Sequence, residues 1–328
     1  MNIRVFLVVF LATSVAWARN CIERRGALDI GSGTTKAYAA VVDTCQGKIV
    51  ETLYDKQMPI SFAEAIAKSE RGEISEELIE KATGEINALI KSMREKKVER
   101  ISAIATSAFR TAKNGARAAV ELSKRTKIPV TVLSQDEEAE VGALSARARG
   151  GIPANDTTSI VWDIGGGSMQ MWARTESGVQ IFRGDLASVS FKNKVIREIQ
   201  NRDPHKFTSP NPLGKDYERA VKLAADHART HVPEYFKKVA TTSRWLGIGG
   251  VLSLSIRYQV DPSSPVFSRA DLEKTLRERS KLTDAEIENP YRETEISNLA
   301  LVLGYMQELG IDRVETLDVS LAQGWLLH

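Results

Sequence analysis

The chain has 328 residues, 42% of them hydrophobic and 27% charged, a globular mixture long enough for two ordinary domains. Its formal net charge of +3 is small for that length, and its few aromatic residues do not interleave with basic runs. Nothing global therefore points to a nucleic-acid partner.

The first eighteen residues, MNIRVFLVVFLATSVAWA, carry one Arg, then an apolar run from Val5 to Val15, then Ala16-Trp17-Ala18. That order predicts a secretory signal peptide over 1–18 and a mature chain that is secreted, most simply periplasmic. The alternatives are a buried N-terminal strand or an uncleaved anchor. No later segment reaches the roughly 18 apolar residues that span a bilayer, so no stable membrane anchor is expected.

Two cysteines exist, Cys21 and Cys45, each twelve residues from Gly33. Between them ALDIGSGTTKAYAAVVD reads as strand, glycine turn, strand. A hairpin turning at Gly33 would set the cysteines face to face and predicts a disulfide in an oxidising compartment. The alternative is two unpaired thiols.

A third extended run follows at 48–58. Ser75 reads as an N-cap, and Leu78, Ile79, Ala82, Ile86, Leu89, Ile90 and Met93 recur at helical spacing. The pattern then gives a strand at 100–105, a helix at 112–125, a strand at 130–133 and a helix at 136–149. Gly150-Gly151-Ile152-Pro153 breaks the chain and is the expected hinge. The pattern restarts with strands at 158–163, 168–173 and 179–183 and helices at 189–200 and 213–239. RWLGIGG, residues 244–250, is a strand entering a third glycine turn. A helix at 293–309, a strand at 314–317 and a helix at 319–327 close the chain.

Each half thus opens on strand, Asp, glycine turn, strand, strand, and then alternates helices and strands, which implies mixed α/β sheets. Two such halves facing one another make a cleft with a glycine hairpin on either wall. Backbone N–H groups aimed into it form an anion nest, and Gly165, Gly166 and Gly167 remove side chains that would hold a phosphate off. Asp29 and Asp163, each just before its turn, are placed for a divalent metal or a water. A tight turn with a capping Asp is the plainer reading of either hairpin alone, and less so of the pair.

Five stretches, ALDIGSGTTK (27–36), ATSAFRTAKN (105–114), VLSQDEEAE (132–140), VWDIGGGS (161–168) and GIGGVLSLS (247–255), together resemble the exopolyphosphatase and guanosine pentaphosphate phosphatase family of the actin/Hsp70/sugar-kinase superfamily. The resemblance spans almost all of the mature chain. It implies two RNase H-like, actin-like ATPase domains, over 19–150 and 151–328, with the last helix packing back on the first. It implies hydrolysis of a terminal phosphoanhydride of polyphosphate or pppGpp with Mg²⁺ or another divalent cation. The phosphate-binding set is then Gly31, Ser32, Gly33, Thr34, Lys36, Arg110, Gly165, Gly166, Gly167, Ser168, Gly249 and Gly250, with Arg110 gripping in a bidentate way. Glu138 becomes the base, preferred over Glu137 because the family's Glu precedes the small residue, here Ala139. Asp29, Asp163 and Glu138 become the metal set.

Four positions depart from the family pattern. Gly33 stands for a usual Asn, Lys36 for Arg, Gln135 for Gly and Gln170 for a Glu that helps hold metal. The last favours a second reading, a catalytically weak or inactive polyphosphate- or nucleotide-binding relative. A sugar-kinase-like phosphotransferase is the third. A homodimer is left open. His227 and His231 stand four apart on a predicted helix, but a structural role outweighs zinc because no third ligand is evident. Trp162 and Trp172 read as core or cleft wall.

Overall fold

The computed structural model describes residues 21–328, and the predicted leader lies outside them. Strands β1 (Ile22–Ile30), β2 (Thr34–Asp43) and β3 (Lys48–Pro59) form an antiparallel meander. Ile30 faces Thr35 and Ile22 faces Asp43, so the hairpin turns between Ser32 and Gly33 rather than on Gly33. Cys21 and Cys45 are consequently offset by one place, and they are still joined, with Cα atoms 5.4 Å apart.

Helices α1 (Phe62–Lys68) and α2 (Glu76–Glu95) follow. Ser75 caps α2 by accepting the Leu78 N–H, and the predicted apolar stripe from Ile79 to Met93 is buried. Strand β4 (Arg100–Ala105), helices α3 (Ser107–Thr111) and α4 (Gly115–Thr126), and β5 (Val130–Val132) complete the first sheet, in the order β3-β2-β1-β4-β5. Both β4 and β5 run parallel to β1.

Helix α5 (Gln135–Gly150) leads to the second antiparallel meander, β6 (Ser159–Ile164), β7 (Met169–Thr175) and β8 (Gly178–Gly184). Next come α6 (Ser188–Lys194), prolonged by a π turn to Ile199, then α7 (Tyr217–His231) and α8 (Glu234–Val239). The single helix predicted over 213–239 is divided at Pro233, whose ring nitrogen has no hydrogen to donate. Strand β9 (Arg244–Ile248) enters a π turn that runs into α9 (Arg257–Val260). The chain ends with β10 (Val266–Ser268), α10 (Arg269–Arg279), α11 (Arg292–Leu309), β11 (Arg313–Thr316) and α12 (Leu321–Trp325). The second sheet has the order β10-β11-β9-β6-β7-β8, with β6, β9 and β11 parallel. No described helix is long and apolar enough to cross a membrane.

The larger core lies under the second sheet, where α11 is buried on nearly all sides. Gly304 lets α11 approach α7 closely, since an added Cβ there would stand 2.5 Å from the Val221 carbonyl oxygen. Trp162 is in this core against Trp245 and Tyr305.

Two helices are exchanged between the halves. Helix α5 buries Ala139, Ala143 and Ala146 against Val161, Trp172, Leu246 and Ile248 of the second sheet. Helix α12 buries Ala322 and Leu326 against Ala27, Tyr38, Ala40 and Val42 of the first. The two helices also touch, and a Cβ on Gly324 would fall 2.1 Å from the Val141 carbonyl oxygen. The chain therefore crosses between halves just before α5 and again just before α12. A hinge at Gly150-Gly151 is not what the structure has: α5 and β6, on either side, lie in the same half. Gly151 instead ends α5, at φ 61° with its N–H on the Arg147 carbonyl.

Candidate active site

The two glycine hairpins are built alike. Gly31 donates its N–H to the Thr34 carbonyl and Gly165 donates to the Ser168 carbonyl, both at 3.0 Å. Their carbonyls are turned away and tied down. Ser32 O accepts from Ala63 N (2.8 Å) and Gly33 O from Ile60 N (3.2 Å). Gly165 O accepts from Ser188 N (3.2 Å) and Gly166 O from Val189 N (2.9 Å). The N–H groups of Ser32, Gly33, Gly166 and Gly167 have no hydrogen-bond partner among the described residues, which leaves four donors for a ligand.

The hairpin tips meet. A Cβ on Gly166 would stand 3.0 Å from Ser32 Cβ, and one on Gly167 2.8 Å from Ser32 Oγ and 2.7 Å from Ser107 Oγ. None of the three glycines at 165–167 has left-handed φ. Gly166 and Gly167 are there for space, first of all for the opposite hairpin, whereas a Cβ on Gly165 would meet only the Ser168 carbonyl oxygen at 3.6 Å. Between the halves lies a cleft of about 560 Å³. Of the sequence-predicted residues it is lined by Asp29, Gly31, Ser32, Gly33, Thr34, Lys36, Glu138, Asp163, Gly165, Gly166, Gly167, Ser168, Gly249 and Gly250.

Three of the buried carboxyls that line the cleft are the predicted ones, Asp29, Asp163 and Glu138. Asp29 pairs across the hairpin with Lys36, and Asp163 pairs in the same way with Gln170. Burial raises Asp29 to about 6, against the pull of Lys36 and the Leu321 N–H. Burial also raises Asp163 to about 6, opposed by Lys36 and reinforced by Asp29. Glu138, in the first turn of α5, is raised to about 7 by burial; Arg110 opposes this and Asp163 and Asp29 add to it. Gly249 is required at this place. At φ +80°, its Cβ would fall 2.1 Å from Asp163 Oδ1.

Glu137 is spoken for. It accepts from the Ser134 N–H and hydroxyl, both at 2.8 Å, in a capping box that holds its carboxyl below the usual range. Only Glu138 of the pair faces the cleft.

Arg110 departs from expectation. It is not in the cleft lining, and its fork is turned on the protein. One nitrogen lies 2.6 Å from Glu138 Oε2 and 2.8 Å from the Leu133 carbonyl, and the other 3.2 Å from Ser168 Oγ. A buried carboxylate without a partner is costly, and Arg110 is the partner. A bidentate grip on phosphate is not available while these contacts hold.

The metal donors are all hard oxygens, which suits magnesium. Among the described residues the one set of three His, Cys, Asp or Glu donors within 4.8 Å of one another is Cys21, Asp43 and Cys45, whose sulfurs form the disulfide. Asp29, Asp163 and Glu138 are thus too far apart to grip one ion together. Magnesium keeps several waters, so ligation by fewer carboxylates fits it.

A family model described as the Ppx/GppA phosphatase family matches residues 40–327. The chain belongs to this family. The Ppx/GppA family is one of phosphatases, so hydrolytic release of phosphate is the class of chemistry. Among solved structures, the Aquifex aeolicus Ppx/GppA member is 20% identical with a TM-score of 0.69, covering 93% of this chain and 97% of that one. An exopolyphosphatase from Cytophaga hutchinsonii is 17% identical with a TM-score of 0.72, covering 93% and 96%. These likenesses give the fold, two RNase H-like domains of the actin-like ATPase kind around a cleft. Among curated proteins, none matches by sequence.

Two features of this Ppx/GppA cleft were not read from the sequence. Lys192 lines it with a side chain only 1% exposed, paired with Glu64 at 3.0 Å and Glu293 at 3.8 Å. Tyr291 lines it too, its hydroxyl 2.6 Å from Thr34 Oγ1. No signal along the chain singled out Lys192, which is one cation of three with Lys194 and Arg197. Gln170 is fully buried beside the site, not in the cleft lining, and both its amide atoms lack a partner. His227 is outside the cleft, bonded through Nδ1 to the Tyr305 hydroxyl at 2.7 Å and stacked on His231.

Proposed function

We propose that this protein is a secreted phosphatase that removes the terminal phosphate of polyphosphate or of pppGpp with the help of magnesium. The observation that carries it is Glu138: a buried carboxyl with a pKa near neutrality, at the floor of a cleft whose hairpins present four free N–H donors. A base is most effective when its pKa lies close to the working pH. The apolar leader and the Cys21–Cys45 bridge support secretion, and polyphosphate leads because nucleotides are scarce outside the cytoplasm.

Glu138 accepts a proton from water as the water oxygen bonds to the terminal phosphorus. The bridging P–O bond breaks, and a shortened chain and orthophosphate leave. The hairpin N–H groups and Lys36 offset charge on the phosphate oxygens. Asp29 and Asp163 are the residues to hold magnesium, which when bound would neutralise phosphate oxygens and orient water. Arg110 positions Glu138 and limits the rise of its pKa.

The test is phosphate release from long polyphosphate by the mature chain, with and without magnesium. Glu138→Gln should lose about 10²- to 10⁴-fold in kcat with KM nearly unchanged. No magnesium-dependent release from polyphosphate or pppGpp would remove the hydrolase reading. Gln170 supports a second reading, a binder descended from an enzyme, because a buried amide with no partner is a poor substitute for a charged metal ligand. An inert natural chain that gains activity as Gln170→Glu would favour it.

A further inference from the structure

Lys192 is a fully buried ammonium that nothing in the reaction yet uses. Burying such a charge is unfavourable unless it is closely paired, and its nearest partner, Glu64 at 3.0 Å, comes from the opposite half of the molecule. Glu64 is in α1 of the first half and Lys192 in α6 of the second. Both helices begin on a glycine hairpin. Ala63, next to Glu64, donates to Ser32 O of the first hairpin. Ser188 and Val189, one turn before Lys192, donate to Gly165 O and Gly166 O of the second. Hairpin, helix, ion pair, helix and hairpin thus form a closed circuit, and parting the hairpins pulls Lys192 from Glu64. The bond between Tyr291 and Thr34 crosses the cleft beside it, two residues before Glu293, the second carboxylate near Lys192.

We infer that Lys192 is a positioning residue, which sets the spacing of the two hairpins through its ion pair with Glu64 and so holds the cleft closed around its ligand. The ammonium does not touch the reacting phosphate. With the pair broken, the closed form is a minor state, and a ligand that needs both hairpins binds more weakly by the fraction that remains closed. If that fraction falls to about a tenth, KM rises about tenfold while kcat at saturation is kept.

The experiment compares the natural chain with Glu64→Gln, Lys192→Met, Lys192→Arg and the Glu64→Gln/Lys192→Met double variant. Small-angle scattering in magnesium without phosphate reads the spacing, and polyphosphate hydrolysis reads kcat and KM separately. We expect a larger radius of gyration and a raised KM in Glu64→Gln and Lys192→Met. Lys192→Arg should recover both, and the double variant should be no worse than Lys192→Met. If Lys192→Met does not fold, Glu64→Gln decides alone, because it keeps the side chain's shape at a partly exposed position. Unchanged radius and KM in Glu64→Gln overturn the inference. So does a fall in kcat at constant KM, which would make Lys192 a contact of the reacting group. The kinetic arm rests on the hydrolase reading. If the natural chain releases no phosphate, that reading fails, and scattering still decides the latch.

Discussion

Replacing Arg110 by Gln separates two roles for a cation at this place. Arg110 stands 2.6 Å from Glu138 Oε2, and burial alone would push Glu138 above the value of about 7 that it has with this partner. Two unit charges about 4 Å apart interact by about 4 kcal/mol at an effective dielectric of about 20. Arg110 is 20% exposed, so water screens part of this, and a neighbouring arginine usually lowers a carboxyl pKa by about 1–3. Arg110→Gln should therefore push Glu138 further up. Proton acceptance needs the carboxylate, so the acid limb of kcat/KM should move up from near pH 7 by the same amount. Activity at pH 7 should fall about fivefold for the first pH step that the limb moves and about tenfold for a second, and return toward that of the natural chain at high pH. The assay is phosphate release from polyphosphate at saturating magnesium between pH 5.5 and 9.5. An arginine that grips phosphate would instead lower kcat/KM by one factor at every pH. An unmoved limb would refute a positioning role for Arg110.

Three other outcomes follow from the same geometry. Gly249→Ala forces a Cβ to within 2.1 Å of Asp163 Oδ1 at φ +80°, and should abolish magnesium-dependent release and lower the melting temperature. Gly165→Ala, whose nearest contact would be 3.6 Å from the Ser168 oxygen, should be mild by comparison; equal damage in the two would undo the argument. The oxidised native protein should show no reactive thiol, and Cys45→Ser should cost about 3 kcal/mol in chemical denaturation for a loop of about 25 residues. Asp29, Asp163 and Glu138 have folded pKa values of about 6, 6 and 7, above their ordinary 3.8, 3.8 and 4.5. The fold therefore holds protons that the unfolded chain has released, and their stabilisation, full below about pH 4, is lost as pH rises through 6 to 7. With a chelator present, this cluster should lower the melting temperature between pH 5 and 8, and magnesium should restore more at pH 8 than at pH 5. Equal magnesium effects at the two pH values would contradict this.

What was legible in the chain was what is local. Helix α2 announced itself through Ser75 and an apolar stripe every three or four residues, and both hairpins through an Asp and glycines between apolar strands. Helices α1 and α10 were silent because they bury so little, Phe62 in one and Leu272 and Leu276 in the other. In the site, motif spacing placed the hairpins and both aspartates around one cleft. It could not say which way Arg110 points, since that depends on Glu138 being buried. Glu137 was separated from Glu138 by family pattern, where the physical reason is the capping box on Ser134. Lys192 was invisible because its partner is 128 residues away, and no pattern along the chain links them.

The exchange of α5 and α12 between the halves has a consequence for how the chain acquires its structure. Arg25 bonds the Leu326 carbonyl across 301 positions, and Trp325 bonds Ser102 across 223. Ala27, Tyr38, Ala40 and Val42 come from the first two strands, and their cover, Ala322 and Leu326, is synthesised far later along the chain. Contacts so distant along the chain require large loops to close first, and such topologies fold slowly. The first sheet cannot mature while the rest is still being made. Its apolar face stays open until α12 arrives, and through that interval it is a surface on which a holding chaperone acts.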